Sequence, residues 1–419
     1  MGKDNPLNTS ISGAAIAIRF LGILNWCLLD RAMFKEFGRS MKEPVLEENE
    51  LMAMRFSAIC RWFYWFILTL MLTFTAFPAY AAHIGTVEEF SIVYPNKSEK
   101  PGSTHEITYN KKGKNVFWVT GQNYDRVVEV TLDGKTTFHP MPNGSGPHGI
   151  EFDAAGNLWI TLEFLGAIAR LDSNGNIVAK YDVQLDCSTC KTKINTHPHG
   201  LGIGSDGKTV WYTGKATGTL GRITSEGEVK TFALSSVGSV PIYINAGPDG
   251  NMWFTELVGN AVGRITPNGQ ITEYPIPTLN SRPIAIVADP SGKAMWFTEE
   301  AGNKIGRIDL QGNITEFPVP KTQNNVILAS LTFDNQKNLW VEQYVDANNP
   351  NSNSPDYIIK IDRRIRESEP DDISQIPFTF YQVPTRNTVM HRIIQGPDKN
   401  IWFTELRSDK VGRVLTTSN

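Results

Sequence analysis

The hydrophobic positions of the chain recur in short alternating runs, with a period of about 42 residues. Residues 281–320 give the clearest copy, in which PIAIVA, AMWFTE, KIGRID and ITEFPVP are separated by Gly, Asn and Asp turns. Residues 239–277 repeat the same pattern nearly letter for letter. This alternation predicts four β-strands in each copy, with one face of every strand buried.

One tryptophan marks the second predicted strand of each copy. Successive members of this series are separated by 41, 52, 42, 43, 44 and 62 positions. The series is Trp118, Trp159, Trp211, Trp253, Trp296, Trp340 and Trp402. Such a period is typical of a four-stranded propeller blade. Because each blade exposes an apolar face that only a neighbouring blade can cover, we predict an all-β, seven-bladed β-propeller.

The two ends of the repeat region are complementary. The last copy stops after its third strand, at KVGRVLTTSN, whereas an extra strand of the fourth type, TVEEFSIVYP, precedes the first copy at residues 86–95. We therefore predict that this N-terminal strand pairs into the last blade and closes the ring, which leaves no bare strand edge there. The two long tryptophan intervals indicate insertions, one with CSTCKTKINTHPHG and one with polar loop sequence to which we assign no chemistry.

The first 81 residues do not follow the repeat. Residues 54–81 carry arginines, then an apolar stretch, then Ala-Tyr-Ala, which is the layout of a secretory signal with cleavage before Ala82. A retained membrane anchor is the alternative, because the apolar run is near the lower limit for spanning a bilayer. We interpret residues 1–53 as a non-native or disordered extension that follows from a wrongly chosen start codon. The propeller then comprises residues 82–419.

Charge and cysteine content narrow the expected partners and compartment. The 40 basic and 43 acidic residues are mixed throughout and give a net charge of -3, so nucleic acid is not an expected partner. We expect an exported monomer, periplasmic or secreted, with no stable membrane association once the signal is cleaved. In an oxidising compartment the C-x-x-C of Cys187 and Cys190 can close as a disulfide. With His197 and His199 the same cysteines also offer ligand types that suit zinc, which is the less favoured interpretation.

Four of the seven histidines stand at one place in the repeat, the beginning of the first strand. They are His105, His148, His199 and His391. The first strand of a propeller blade is innermost, so we expect these side chains at one mouth of the central channel, on four consecutive blades. A single histidine there is usually structural, but four on one arc favour a functional site. Neutral imidazoles can bind a metal or act as general bases near neutral pH.

The blade pattern PxxI, DGxxWFTE, NxIGRIT and GxIxEYPxP resembles that of the virginiamycin B lyases, or streptogramin lyases, over residues 86–415. The resemblance implies an enzyme that opens the ester bond of a cyclic depsipeptide antibiotic by elimination, without water and with magnesium. The family site uses a histidine of the penultimate blade, the Glu and His of EPHGI in the last blade, and the acid of the following WFxE. The last blade here reads VMHRI and then WFTE, so His391 matches the base and Glu405 matches the acid. Val389 replaces the EPH glutamate, and the penultimate VILAS has no histidine.

These matches give a candidate catalytic pair, His391 and Glu405, and candidate metal ligands, Glu405 and His148. Candidate substrate contacts at the channel mouth are His105, His148, His197 and His199. By resemblance the metal is Mg2+ and the substrate is a small cyclic ester or peptide. A metal-dependent lactonase or hydrolase with Ca2+ or Zn2+ is a second reading, and a propeller that binds a partner without catalysis is a third.

Overall fold

The computed structural model describes residues 83–95, 102–346 and 355–417. Within these ranges the chain forms seven four-stranded antiparallel sheets arranged as the blades of a ring. The prediction of an all-β, seven-bladed propeller is confirmed. The predicted signal segment and the extension before it lie outside the described residues. Among the residues that are described, no helix has the length and apolar character needed to cross a membrane.

The strands follow one another along the chain in each of the first six blades. Blade 1 contains β2 (Thr104–Tyr109), β3 (Val116–Gly121), β4 (Arg126–Thr131) and β5 (Thr136–Pro140). Blade 2 contains β6 (Pro147–Phe152), β7 (Leu158–Leu162), β8 (Ala167–Leu171) and β9 (Ile177–Asp182). Blade 3 contains β10 (Pro198–Ile203), β11 (Val210–Gly214), β12 (Thr219–Ile223) and β13 (Val229–Ala233). Blade 4 contains β14 (Pro241–Ala246), β15 (Met252–Glu256), β16 (Ala261–Ile265) and β17 (Ile271–Pro275).

The remaining blades have the same order with one exception at the ring closure. Blade 5 contains β18 (Pro283–Ala288), β19 (Ala294–Glu299), β20 (Lys304–Asp309) and β21 (Ile314–Pro318). Blade 6 contains β22 (Val326–Phe333), β23 (Leu339–Val345), β24 (Tyr357–Ile361) and β25 (Phe378–Gln382). Blade 7 contains β26 (Met390–Gln395), β27 (Ile401–Glu405), β28 (Lys410–Val414) and, as its outer strand, β1 (Val87–Ser91). Short 3-10 helices are Gln122–Tyr124, Glu163–Leu165, Val237–Ser239, Arg363–Glu367 and Pro370–Gln375.

The N-terminal strand β1 closes the ring, as the sequence predicts. It pairs antiparallel with β28, from Val87 opposite Val414 to Ser91 opposite Lys410. Side chains reinforce this pairing, because Arg413 forms an ion pair with Glu88 at 2.5 Å. Strand β28 therefore has a hydrogen-bonded neighbour on each side, and the open edge that would invite aggregation is covered.

The repeated tryptophans fill the space between blades, which accounts for their regular spacing in the sequence. Trp253 and Trp296 are completely buried. In blades 2, 4, 5, 6 and 7 the indole N–H donates to an aspartate of the preceding turn, as Trp296 does to Asp289 at 2.7 Å. An arginine of the third strand lies over the ring, as Arg264 does over Trp253 at 5.4 Å from its centroid. These repeated residues are therefore blade architecture.

A threonine on the second strand ties each of six blades to the next one. Its hydroxyl donates to a backbone carbonyl in the first strand of the neighbouring blade. The six are Thr120, Thr161, Thr213, Thr255, Thr298 and Thr404. Blades also approach closely at the first strands, where a Cβ on Gly200 would lie 2.2 Å from the carbonyl oxygen of Ile242. Only glycine fits at that position without moving the backbone of blade 4.

Candidate functional site

The four first-strand histidines meet at the centre of the ring. The His105 ring centroid lies 5.0 Å from that of His148 and 5.0 Å from that of His391. The centroid of His148 lies 5.1 Å from that of His391 and 3.8 Å from that of His199. His105, His148 and His199 are buried, whereas His391 is partly exposed. Four residues from blades 7, 1, 2 and 3 thus form one group, which we name the imidazole cluster.

A bulge in each first strand directs two consecutive side chains toward the centre. In β2 the register shifts between Thr104 and Ile107, so that His105 and Glu106 together oppose a single residue of β3. The same shift occurs in the first strand of every blade. A bulge breaks the alternation of side chains between the two faces of a strand. In blades 1 and 7 the residue after the histidine, Glu106 or Arg392, therefore contributes to the site as well.

Glu106 is the carboxylate that the structure brings to His391. Its Oε1 lies 3.0 Å from Nδ1 of His391 and accepts a 2.5 Å hydrogen bond from the Tyr243 hydroxyl. Nε of Arg392 lies 3.6 Å from the other carboxylate oxygen. Burial acts to raise the pKa of Glu106, but Arg392, His391 and Tyr243 outweigh it and hold this pKa below its ordinary value. Glu106 is therefore a charged group that can orient the imidazole of His391.

The buried imidazoles are neutral near pH 7. Burial is the largest cause that lowers the pKa of His105 to about 3, and nearby His391 adds to it. Burial also holds the pKa values of His148 and His199 well below the ordinary value. Nδ1 of His148 and Nδ1 of His199 are both buried without a hydrogen-bond partner. Neutral rings with unused nitrogen atoms are suited to ligation or to proton transfer.

A second acidic residue, Glu163, stands beside the cluster in the short helix that follows β7. Its carboxylate lies 2.5 Å from Nζ of Lys215 and accepts a 2.7 Å hydrogen bond from the amide of Gln122. Nδ1 of His197 lies 3.8 Å from the same carboxylate, so His197 is at the edge of the site. Within the described residues, two groups offer donor atoms close enough to hold a metal ion. They are His105, His148 and His391, and His148, Glu163 and His199.

Glu405 has a different environment from the imidazole cluster. Its carboxylate accepts a 2.7 Å hydrogen bond from Ser408, and neither of the two donor groups in the described part of the chain includes it. Burial raises the pKa of Glu405 to about 8, as it raises that of Glu256 to about 7 and that of Glu299 to about 8. These three glutamates occupy the same place in the WFTE repeat and share the same main perturbation. The roles of Glu405 as partner of His391 and as metal ligand with His148 stay predictions.

Four residues beside the imidazole cluster are not predicted from the sequence: Glu106, Tyr243, Arg392 and Glu163. Three of them share one signal, because Glu106, Tyr243 and Arg392 each follow the first-strand position at which four blades carry histidine. Glu163 directly follows the second strand of blade 2. A charged or phenolic residue directly after the inward-facing first-strand position was therefore the signal in the sequence that could have identified three of these residues.

The insertion before β10 is closed by a disulfide between Cys187 and Cys190. The sulfur atoms of these two cysteines are therefore not available to zinc as thiolates. The two histidines of the same motif have other contacts, since His197 faces Glu163 and His199 packs on His148.

Glu342 interrupts the ring of threonines in blade 6. It stands two positions after Trp340, where six other blades have threonine. Its Oε2 accepts a 3.0 Å hydrogen bond from the backbone N–H of Ser330, and its Oε1 is buried without a hydrogen-bond partner. Burial is the main cause that raises the pKa of Glu342 to about 8. The neutral acid is therefore the favoured form at neutral pH.

This titration gives a pH-dependent stability. In the unfolded chain Glu342 titrates near its ordinary value of 4.5, so its contribution to folding is complete below that pH and is lost as the pH rises to about 8. We expect the substitution Glu342→Gln to gain stability relative to the wild type as the pH rises through this range. The measurement is the free energy of unfolding of both proteins in urea at pH about 5 and about 9. An equal difference at both pH values would contradict the prediction.

Comparison with known proteins gives a consistent result. Residues 172–379 match the model of the virginiamycin B lyase family. A virginiamycin B lyase of Nocardia farcinica is 30% identical over 142 residues, which are 34% of this chain and 46% of that protein. The chain thus spans about half the length of this curated relative.

The similarity to solved structures covers a larger part of this chain and nearly all of each solved chain. A streptogramin B lyase structure has 26% identity and a TM-score of 0.64, and the match covers 78% of this chain and 96% of that chain. Selenomethionine-substituted virginiamycin B lyase from Staphylococcus aureus has 28% identity, a TM-score of 0.63 and coverages of 78% and 98%. A catalytically inactive histidine-to-alanine variant of the Staphylococcus aureus protein, solved with quinupristin, has 28% identity, a TM-score of 0.62 and the same coverages. By these matches and by its fold, this chain belongs to the virginiamycin B lyase family.

Proposed function

We propose that this protein opens an ester bond in a cyclic depsipeptide or a related lactone by elimination at the imidazole cluster. One observation carries the proposal: His391, at the place of the family's base, faces the Glu106 carboxylate at 3.0 Å. Relatives named for virginiamycin B and streptogramin B cleavage, one of them solved with quinupristin, support the choice of substrate class.

His391 is the proposed general base. It removes a proton from the carbon next to a carbonyl group, and the released electron pair forms a carbon–carbon double bond while the adjacent carbon–oxygen bond breaks. The leaving group is a carboxylate, so the ring opens and no atom is gained or lost. Glu106 orients the imidazole and stabilises its protonated form, and Tyr243 and Arg392 keep Glu106 charged.

Magnesium, which the resemblance implies, does not fit the donor groups beside His391. Magnesium prefers oxygen ligands in octahedral geometry, whereas one donor group consists of three imidazoles and the other contains two. The two nearby carboxylates already face cations, since Glu106 faces Arg392 and Glu163 faces Lys215. We therefore assign no step of the reaction to magnesium.

The mass of the product tests the proposed reaction. The full-length protein is incubated with a panel of cyclic depsipeptides and lactones, with and without EDTA. We expect a linear product with the same mass as the cyclic substrate. A product heavier by one water would indicate a lactonase or hydrolase instead. Absence of product from every compound would contradict an enzymatic role and favour the binding propeller.

We also propose that the protein is exported. The signal-like residues 54–81 and the disulfide between Cys187 and Cys190 support this proposal, because disulfides persist in oxidising compartments. We expect the mature protein to begin at Ala82, as measured by mass spectrometry of its N-terminal peptide. A peptide from residues 31–53 in the mature protein would contradict the proposed cleavage.

A further inference from the structure

Three rings of the imidazole cluster form an almost equilateral triangle. The centroids of His105, His148 and His391 are separated by 5.0, 5.0 and 5.1 Å. A zinc ion with Zn–N bonds of about 2.0 to 2.1 Å and tetrahedral angles places the centres of its imidazole ligands about 5.2 Å apart. The interplanar angles are 59°, 66° and 74°, so no pair is stacked face to face and each ring can turn a nitrogen toward the common centre.

Two of the three rings have the outer contacts that orient metal-binding histidines. Nδ1 of His105 lies 2.7 Å from the backbone carbonyl of Ser103 and donates to it in the neutral ring. Nδ1 of His391 faces the Glu106 carboxylate at 3.0 Å, within ion-pair distance but without the geometry of a hydrogen bond. Metal-ligating histidines usually turn their second nitrogen to a carbonyl or a carboxylate, which leaves the first one free for the ion. In His105 and His391 the free atom is Nε2.

The third ring lacks such a partner in the protein. His148 is 2% exposed, and its Nδ1 makes no hydrogen bond. A buried polar atom of this kind requires an explanation, and an ion held at the centre of the triangle would supply one. The donor nitrogens of the three rings lie within 4.8 Å of one another, so small ring rotations bring them to a shared ion.

We propose that His105, His148 and His391 form a binding site for a divalent transition cation of the zinc class. Imidazole donors select zinc, copper, nickel or iron over magnesium and calcium. Three protein ligands leave a fourth position open to water or substrate, as in catalytic zinc sites. The binding itself is independent of the proposed elimination. One consequence does rest on that function: an ion on Nε2 of His391 removes the free base, so metal binding suppresses the elimination.

Titration with Co2+ tests the site directly. The full-length, disulfide-bonded protein is titrated while the visible absorption of tetrahedral Co2+ is followed, and Zn2+ is then added as competitor. We expect one equivalent of Co2+ to bind, Zn2+ to displace it and Mg2+ to leave it in place. Loss of one ligand in His148→Ala should weaken binding by more than the roughly 10- to 100-fold that loss of an outer contact costs. Glu106→Gln should weaken it by about 10- to 100-fold.

A histidine outside the cluster provides the matched control. His139 lies on β5, where its Nε2 is 3.0 Å from Glu129, and we expect His139→Gln to bind Co2+ as the wild type does. X-ray absorption of the zinc-loaded wild type counts its ligands without any substitution, and three imidazoles are expected. A sulfur-containing shell, no saturable binding, or unchanged affinity in folded His148→Ala would overturn the proposal. Product formation on the substrate panel is measured in a separate experiment. If no elimination is found there, the Co2+ titration still tests the metal site.

Discussion

Replacing His391 by alanine should slow ester opening by about 10²- to 10⁴-fold, which is the usual contribution of a general base. The imidazole is partly exposed at the centre of the ring, and six other blades continue to support the fold, so we expect the variant to remain folded. The measurement is the rate at which the best substrate of the panel yields a product of unchanged mass. Far-ultraviolet circular dichroism verifies that the propeller is intact.

Glutamine substitutions distinguish the role of Glu106, whose carboxylate lies beside His391, from that of Glu405, which matches the family motif. Glu106→Gln keeps the shape of the side chain but removes its charge, so we expect a lower rate and a changed pH dependence of kcat/KM. Glu256→Gln is the matched control, because Glu256 occupies the WFTE position in a blade without a first-strand histidine, and its rate should equal that of the wild type. A large loss of rate in Glu405→Gln, together with an unchanged rate in Glu106→Gln, would contradict this prediction. It would show that the family motif, and not the 3.0 Å contact, identifies the carboxylate that acts with His391.

Replacing Trp402 by alanine should lower the free energy of unfolding by about 3 to 5 kcal/mol. The side chain is completely buried, and its ring centroid lies 5.5 Å from that of Phe90 in β1 and 4.5 Å from that of Phe117 in blade 1. Its indole N–H donates to Asp398 at 3.0 Å. The substitution therefore opens a cavity at the place where the ring closes and leaves the partly buried acceptor Asp398 with one partner fewer.

Urea denaturation followed by circular dichroism measures this loss. Leu279→Ala is the control, because Leu279 is 82% exposed and its replacement should change the free energy of unfolding by no more than about 0.5 kcal/mol. A loss in Trp402→Ala as small as that of the control would show that the contacts with Phe90 and Phe117 contribute little to ring closure.

The blades and their closure follow from the sequence because they depend on local and repeated features. Alternation defines each strand, the tryptophan period defines each blade, and the missing fourth strand of the last repeat matches TVEEFSIVYP at the other end. The imidazole cluster can be predicted from the sequence for the same reason, because equivalent positions of a propeller repeat meet at the axis. Knowledge of the repeat was sufficient to place His105, His148, His199 and His391 together.

The partner of His391 was not predictable by the same reasoning. Strict alternation would turn Glu106 away from the face that carries His105, and only the bulge in β2 lets both side chains face inward. The contact between Glu106 and His391 also joins blades 1 and 7, which are far apart in the sequence. Conversely, Glu405 matches a family motif, but its surroundings depend on burial and on Ser408, which the motif does not specify.

The pairing of β1 with β28 also constrains how the protein can be made. Glu88 and Arg413 are separated by 325 positions, so nearly the entire propeller must be synthesised before the first strand finds its partner. Contacts between residues so far apart in the sequence form slowly, because a long segment must lose conformational entropy before the contacts can stabilise the fold. We therefore expect late ring closure after release from the ribosome, preceded by an interval in which the unpaired N-terminal strand is exposed to chaperones and to other nascent chains.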